Sequence, residues 1–447
     1  MRLRLASLMV MLGVAVVPPA HAVSAGPRPA LPFIEDDYGR ALAEAKARQV
    51  PLFVDAWAPW CHSCQSMRAY VFTDQALAKL ARRLVWLSID TEKDQNAAFV
   101  ARFPIEAWPT LFFIDPHSES VLQRRLGSAT VAQLKGMATE AERTFSGRID
   151  GWRGAVDRAE FLFGQTKNAE AADAYAKALR EVPANWDGRG RAVESYLMAL
   201  SSSDQARRCA EVAAAEYPSM RSTPPALTAA SAGLDCAVSL PPTDSERVRL
   251  IRTMESLSRE VIAHPGEAVA ADDVSGVFLS LYSAREDAKD AAGARAVAEE
   301  WGRFLDGQAT AAKSPEARAV FDSHRLTVDL ALGRIDQAIA MLQASERDFP
   351  NDYNPPARLA VAYAAAKRYD EAVAASDRAL AEVYGPRRVT VLRQRAQILI
   401  DKGDRVAARS ALDQALELAR ALPDAQHASR MIQVIQKKQA EIRQSAE

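Results

Sequence analysis

Two thiols three positions apart, Cys61 and Cys64, are the residues of this chain best placed to do chemistry. In Cys61-His62-Ser63-Cys64 the pair can close a small ring or attack another sulfur, because the thiolate is both nucleophile and leaving group in exchange. The same spacing is half of a zinc site, but zinc needs four ligands. Cys209 and Cys236 stand 27 residues apart and no second C-x-x-C or H-x-x-x-H completes a set, so neither a metal nor any other cofactor is expected. A purely structural bridge is disfavoured, since so short a loop at a helix start is strained and labile. Dithiol–disulfide exchange remains. Cys61, exposed at the helix tip, is expected to attack and Cys64 to resolve the mixed disulfide from one turn deeper. His62, when protonated, would lower the pKa of the Cys61 thiol and stabilise the reduced form, and Ser63 shares that potential-tuning position.

The elements that must position these groups are readable around them. Pro51-Leu52-Phe53-Val54-Asp55-Ala56-Trp57 is too short for a helix and rich in strand formers, so it reads as a buried strand running into the loop Pro59-Trp60-Cys61. After Cys64, the residues Met67, Val71, Leu77 and Leu80 recur at mostly helical spacing, with a break near Thr73-Asp74 where Asp74 caps the second part. Further strands are expected over 84–90, 110–116 and 121–126, the last two able to pair as a hairpin, with helices over 96–103 and 130–145. Strands and helices alternate as in an α/β domain with a mixed sheet.

Beyond Gly151 strand patterns vanish and alanine-rich helical stretches take over. Ala159, Leu162, Ala171, Tyr175, Ala178, Leu179 and Pro183 resemble the positions of a tetratricopeptide-type helical hairpin, in which small residues let two helices approach and proline ends the second. Ala206, Ala213 and Pro218 restate its second helix. Ala338, Ala372 and Ala408 recur at intervals of 34 and 36, and Ser345, Ala379 and Ala415 follow each seven residues on. An all-α solenoid of such repeats is expected, in place of a generic helical bundle. Cys209 and Cys236 would then sit on neighbouring helices, as a structural disulfide stabilising by about 2–4 kcal/mol, or else as a second redox pair.

Charge and composition narrow the partners. The 447 residues carry 56 basic and 57 acidic side chains, with no basic footprint for nucleic acid. Hydrophobic residues at 49% and charged residues at 25% exclude a largely disordered chain. Arg2 and Arg4, an apolar run from Leu5 to Val17, and Ala20-His21-Ala22 read as a cleaved signal peptide over 1–22. An uncleaved anchor is the alternative, but the run is shorter than the roughly 20 residues that span a bilayer. Export to an oxidising compartment, the periplasm of a Gram-negative cell, is expected, with no stable membrane span afterwards.

The run Val54-Asp55-Ala56-Trp57-Ala58-Pro59-Trp60-Cys61-His62-Ser63-Cys64, with Trp108-Pro109-Thr110 before the next strand, resembles the thioredoxin family. Cys64 followed by Met67, the Phe72-Thr73-Asp74 turn, Asp90 at a strand end and Pro109-Thr110-Leu111-Phe112-Phe113 are most similar to the periplasmic thioredoxin-like domain of DsbD-type reductases. The resemblance covers about 31–145. It implies a cis-proline at Pro109 facing the disulfide, with the strand edge at Thr110 receiving an extended substrate peptide. It also implies that Asp55 is a buried acid taking the proton of Cys64. Two departures stand out: Trp86 occupies the place of the lysine that accompanies this acid in thioredoxins, and Ala69 the place of the proline that kinks the helix. Trp60 and Trp108 are expected to form a substrate-gripping rim, and Trp57 to be core.

The expected division is a signal peptide (1–22), a thioredoxin-like domain (23–148) and a tetratricopeptide-like domain (152–447). The leading reading is an exported protein thiol–disulfide oxidoreductase acting on protein thiols and disulfides, served by a redox partner protein, whose repeats recruit a protein or peptide. The competing reading is a periplasmic repeat scaffold or co-chaperone in which the thioredoxin-like part only docks.

Overall fold

The computed structural model describes residues 31–148, 151–266, 269–422 and 425–444; the segment read as a signal peptide lies outside them. The N-terminal part is a five-stranded mixed sheet built from β1 (Phe33–Glu35), β2 (Leu52–Trp57), β3 (Val85–Asp90), β4 (Thr110–Ile114) and β5 (Val121–Leu126), in the order β1-β3-β2-β4-β5. β1, β3 and β2 run parallel, and β4 and β5 add as an antiparallel hairpin. Helices α1 (Tyr38–Arg48), α2 (His62–Ser66), α3 (Ala97–Arg102) and α4 (Val131–Phe145) cover its two faces. β2 is central and covered on both sides, which is why its sequence is a continuous apolar run and not an alternation. Phe53, Trp86 and Phe113 fill the core on one face with Leu134 and Met137 of α4; Val54, Leu87, Phe112 and Ile114 fill the other. This is the thioredoxin-type arrangement.

The helix after the cysteines is more broken than its spacing suggests. α2 ends at Ser66, one π-helical turn spans Met67–Val71, and a 3₁₀ turn over Gln75–Leu80 begins where Asp74 accepts the Ala76 N–H. The expected kinking proline is Ala69. The wide π turn bends the chain instead, a device that leaves the Ala69 N–H in place.

Sixteen helices follow among the described residues: α5 (Gly151–Gly164), α6 (Asn168–Glu181), α7 (Arg189–Ser201), α8 (Ala206–Met220), α9 (Pro224–Ser239), α10 (Arg247–Ala263), α11 (Ala271–Asp287), α12 (Ala291–Ala311), α13 (Pro315–Ala319), α14 (Asp322–Ala331), α15 (Ile335–Asp348), α16 (Asn354–Ala365), α17 (Tyr369–Glu382), α18 (Arg387–Lys402), α19 (Arg405–Arg420) and α20 (Ala425–Gln444). The recurring residues Ala338, Ser345, Ala372, Ala379, Ala408 and Ala415 are fully buried on α15, α17 and α19, where their small size sets the helix spacing. Pro218 does not end its helix: α8 continues two residues past it to Met220. Cys209 on α8 and Cys236 on α9 are disulfide-bonded and buried.

The helical array wraps the sheet domain. α5 lies on β5, where Gly164 leaves room for the Val121 side chain. Arg124 of β5 is sealed inside this junction, its guanidinium 4.1 Å from the Phe163 ring and hydrogen-bonded to Asn168 and Glu106. Arg125 pairs with Glu194 of α7 at 2.7 Å, and Ser128 donates to Asp273 of α11. The array then passes over the cysteine motif.

Candidate functional site

Cys61 and Cys64 form a disulfide at the start of α2. Cys61 caps that helix, its Sγ accepting the Cys64 N–H at 3.0 Å, so one unpaired donor of the first turn is aimed at the sulfur that would carry negative charge after reduction. Ser63 Oγ stands 3.6 Å from the same sulfur and donates to the Trp108 carbonyl at 3.4 Å. The Trp108-Pro109 bond is cis. The two tryptophans flanking the motif pack edge to face with centroids 5.0 Å apart, and Trp108 Nε1–H donates to Thr91 Oγ1 at 2.8 Å. Thr110 is fully buried at the start of β4, its hydroxyl donating to the Ala107 carbonyl, so its side chain does not face an incoming peptide.

Asp55 is buried in the middle of β2, and neither carboxylate oxygen has a hydrogen-bond partner among the described residues. Burial raises its pKa from the ordinary 3.8 to about 7; Arg68 pulls it down and Glu35 pushes it up. Trp86, in the place of the expected lysine, is buried against Phe53 with ring centroids 4.7 Å apart and contributes no charge. The cation comes instead from the π turn. Arg68 donates to Ser88 Oγ at 3.1 Å and lays its guanidinium 4.2 Å over the Trp57 ring. Asp55, Glu35, Arg68, Thr73, Ser88 and two phenylalanines line a cavity of about 200 Å³, which gives the buried acid a polar outlet.

Cys61 is not exposed at a helix tip: only 3% of it is accessible. It packs among Ala58, Trp57, Trp60 and Trp108, and α11 and α13, more than two hundred residues further on, rest on the helix that follows it. His62 Nδ1 meets both carboxylate oxygens of Asp272, at 2.9 and 3.0 Å, and its ring packs 4.2 Å from that of His324 on α14. Burial works against charging His62, but the charge and hydrogen bond of Asp272 outweigh it and raise the pKa above the ordinary histidine value. Burial, joined by the neighbouring His62, pushes His324 down to about 3 and keeps it neutral. On the other side of the motif Asn354 donates to the Pro59 carbonyl at 3.1 Å. Glu92 accepts both the Trp60 indole N–H at 2.9 Å and the Arg387 backbone N–H at 2.7 Å, and Tyr384 donates to Asp90 at 2.6 Å. Between Tyr384 and Arg387, Gly385 has φ +58, and a Cβ there would collide with the Glu92 carbonyl. The rim that Trp60 was expected to offer to substrate is taken up from within the chain, by Arg387 and the cluster of Tyr353, Val383 and Val391.

Asp272, His324, Glu92, Asn354 and Arg387 were not legible as site residues. His324 reads as isolated in the sequence, and spacing carries no sign of contacts across such separations. Arg68 could have been found, as a basic residue one turn beyond Cys64 in a chain that lacks the usual lysine.

Residues 34–116 match the family model described as Thioredoxin-like, and residues 329–395 match Tetratricopeptide repeat. The N-terminal part is 30% identical over 77 residues to the thiol:disulfide interchange protein DsbD of Actinobacillus pleuropneumoniae, covering 17% of this chain and 13% of that protein. It is 33% identical over 89 residues to DsbD 2 of Pseudomonas aeruginosa, covering 20% of this chain and 15% of that protein. The chain thus spans about a seventh of the length of these relatives. Among solved structures, a tetratricopeptide repeat protein from Parabacteroides merdae aligns with a TM-score of 0.42 at 10% identity, over 64% of this chain and 98% of that one. A thioredoxin-like domain with a C-x-x-C disulfide is therefore joined here to tetratricopeptide repeats.

Proposed function

We propose that this chain is an exported thiol–disulfide oxidoreductase, working in the periplasm on protein thiols and disulfides through Cys61 and Cys64. The observation that carries the reading is the closed Cys61–Cys64 bond at a helix start, with Ser63 bonded to the carbonyl of the cis Trp108-Pro109 peptide, in a domain that also holds the buried, unpaired Asp55. In the reducing direction, the Cys61 thiolate attacks a substrate disulfide, one substrate sulfur leaves as thiolate, and a mixed disulfide forms on Cys61. Asp55, ionised near pH 7, then takes the proton of Cys64. The Cys64 thiolate attacks Cys61 Sγ, expels the second substrate thiolate and restores the Cys61–Cys64 bond. In the oxidising direction the same steps run backwards.

The repeats enter this reading as the wall of the site. With Cys61 buried and α11 and α13 resting on the helix that follows it, a protein substrate must engage or displace that wall, which gives the repeat domain its part in selecting partners. Exchange between the reduced chain and a disulfide-containing protein tests the reading: it should be measurable and vanish in Cys61→Ser. A chain that equilibrates with neither glutathione nor a protein disulfide would overturn it. The reduction potential then gives direction, near about −270 mV for a reductant and about −120 mV for an oxidant.

A further inference from the structure

Where the repeats cross the cysteine motif, three metal-competent side chains converge. His62 of α2, Asp272 of α11 and His324 of α14 each present one ligand atom within 4.8 Å of the other two, with Asp272 and His324 buried. Two imidazoles and a carboxylate, drawn from three separate elements, are a three-ligand zinc set that leaves a fourth position open.

The His62–Asp272 contact is already close to what an ion needs, and the His324 donor lies within 4.8 Å of both. His62 Nδ1 stands 2.9 and 3.0 Å from the Asp272 oxygens. Two donors held by one tetrahedral zinc at about 2.0–2.1 Å stand about 3.3 Å apart, so exchanging the shared proton for zinc widens this contact by only about 0.3 Å. The third donor has the outer support that metal-binding histidines require. His324 Nδ1 is bonded to Ser275 Oγ at 2.7 Å, and Ser275 Oγ also accepts the Trp301 indole N–H at 2.7 Å, which orients the ring and leaves Nε2 for an ion. The charges facing the spot are mixed. Asp273 beside Asp272 favours a cation and Arg358 opposes one. Borderline-soft imidazole donors favour zinc over the harder magnesium or calcium.

We propose that His62, Asp272 and His324 bind one zinc ion per chain, and that the ion fastens α11 and α14 of the repeat domain to the helix that carries Cys61 and Cys64. The thiols take no part, which separates this site from any cysteine-based one and from the exchange reaction itself.

The test uses the full chain, stripped with a chelator and fully oxidised so that no thiolate can bind metal. Equilibrium dialysis against zinc chloride should leave one zinc per chain, and Asp272→Asn and His324→Ala should each weaken retention at least tenfold. Cobalt added to the unaltered oxidised chain, a measurement no folding defect can confound, should give visible bands of an oxygen- and nitrogen-ligated ion without sulfur-to-metal charge transfer. Zinc should also slow reduction of Cys61–Cys64 by a phosphine severalfold in the unaltered chain and not in His324→Ala. No retained zinc, retention unchanged in both variants, or a cobalt spectrum with sulfur ligation overturns the site; zinc that binds but leaves the reduction rate unchanged overturns the fastening. None of these readouts depends on turnover of a substrate.

Discussion

The two disulfides are both buried, yet they have been given opposite surroundings. Cys209–Cys236 joins α8 to α9 in a seam of small apolar side chains, across 27 residues of chain. Cys61–Cys64 closes a gap of three residues at a helix start, next to a histidine paired to a distant aspartate, in a domain that carries a cis-proline and an unpaired buried acid. In the chain-entropy picture the longer loop removes about 3.5 kcal/mol of unfolded-state freedom and the short one about 2 kcal/mol. Burial alone therefore does not mark a bond as inert. What distinguishes them is whether ionisable groups and helix N–H donors stand ready to stabilise the opened form.

The largest expected effect tests that contrast directly. Cys61→Ser/Cys64→Ser should abolish exchange and leave the cooperative unfolding of the helical array nearly intact. Cys209→Ser/Cys236→Ser should keep exchange while lowering the stability of the repeats by about 3 kcal/mol, read by urea unfolding. Loss of exchange in both pairs of variants would mean that the second bond relays electrons, and the contrast would fail.

Next in size is Asp55→Asn. With its pKa raised to about 7, Asp55 keeps a proton in the folded chain that the unfolded chain releases near 3.8. Stability contributed by this group is present at low pH and lost as pH rises from about 4 to 7, so the asparagine variant should gain a few kcal/mol over the parent at pH 8 and little at pH 4. Exchange should change the other way. Without a carboxylate to take the Cys64 proton, the resolving step should slow about 100-fold and lose its rise around pH 7. A variant no more stable at pH 8, or with an unaltered rate profile, would remove Asp55 from the mechanism.

How far this was readable beforehand varies along the chain for physical reasons. Strands β2 to β4 were evident as short apolar runs, β5 as an alternating segment and α4 as a helical stretch over 130–145, because such patterns are local signals. β1 was not, since three residues carry no periodicity, and α1 is a short alanine-rich helix with a weak apolar stripe. Cys61, Cys64, Asp55 and Pro109 could be picked out through contiguous motifs. The groups that cover them come from α11, α14, α16 and the turn at Gly385, and a solenoid's repeat pattern encodes its own helix spacing, not what its inner face touches. The burial of Cys61 is a tertiary fact with no sequence signature.

That cover can be loosened without altering the cysteines. Gly385→Ala forces a side chain against the Glu92 carbonyl at a left-handed backbone position, a cost of about 1–3 kcal/mol that falls on the docked arrangement. Alkylation of reduced Cys61 should speed up about tenfold, with the thermal unfolding of each part little changed. An unchanged alkylation rate would show that the cysteine is reached by another route.

The smallest effect concerns Arg68. Its guanidinium is exposed on one side, so water screens it, but it is the cation that draws down the pKa of Asp55. In Arg68→Met the aliphatic stem still covers the Trp57 ring while the charge and the bond to Ser88 disappear. The pH profile of exchange should shift alkaline by less than about one unit, with the plateau rate preserved, because the acid is harder to ionise but intact once ionised. Arg68→Lys should restore the profile. A loss of plateau rate in Arg68→Met that lysine does not restore would assign Arg68 to shaping the helix and not to tuning the acid, leaving burial and Glu35 as the controls on Asp55.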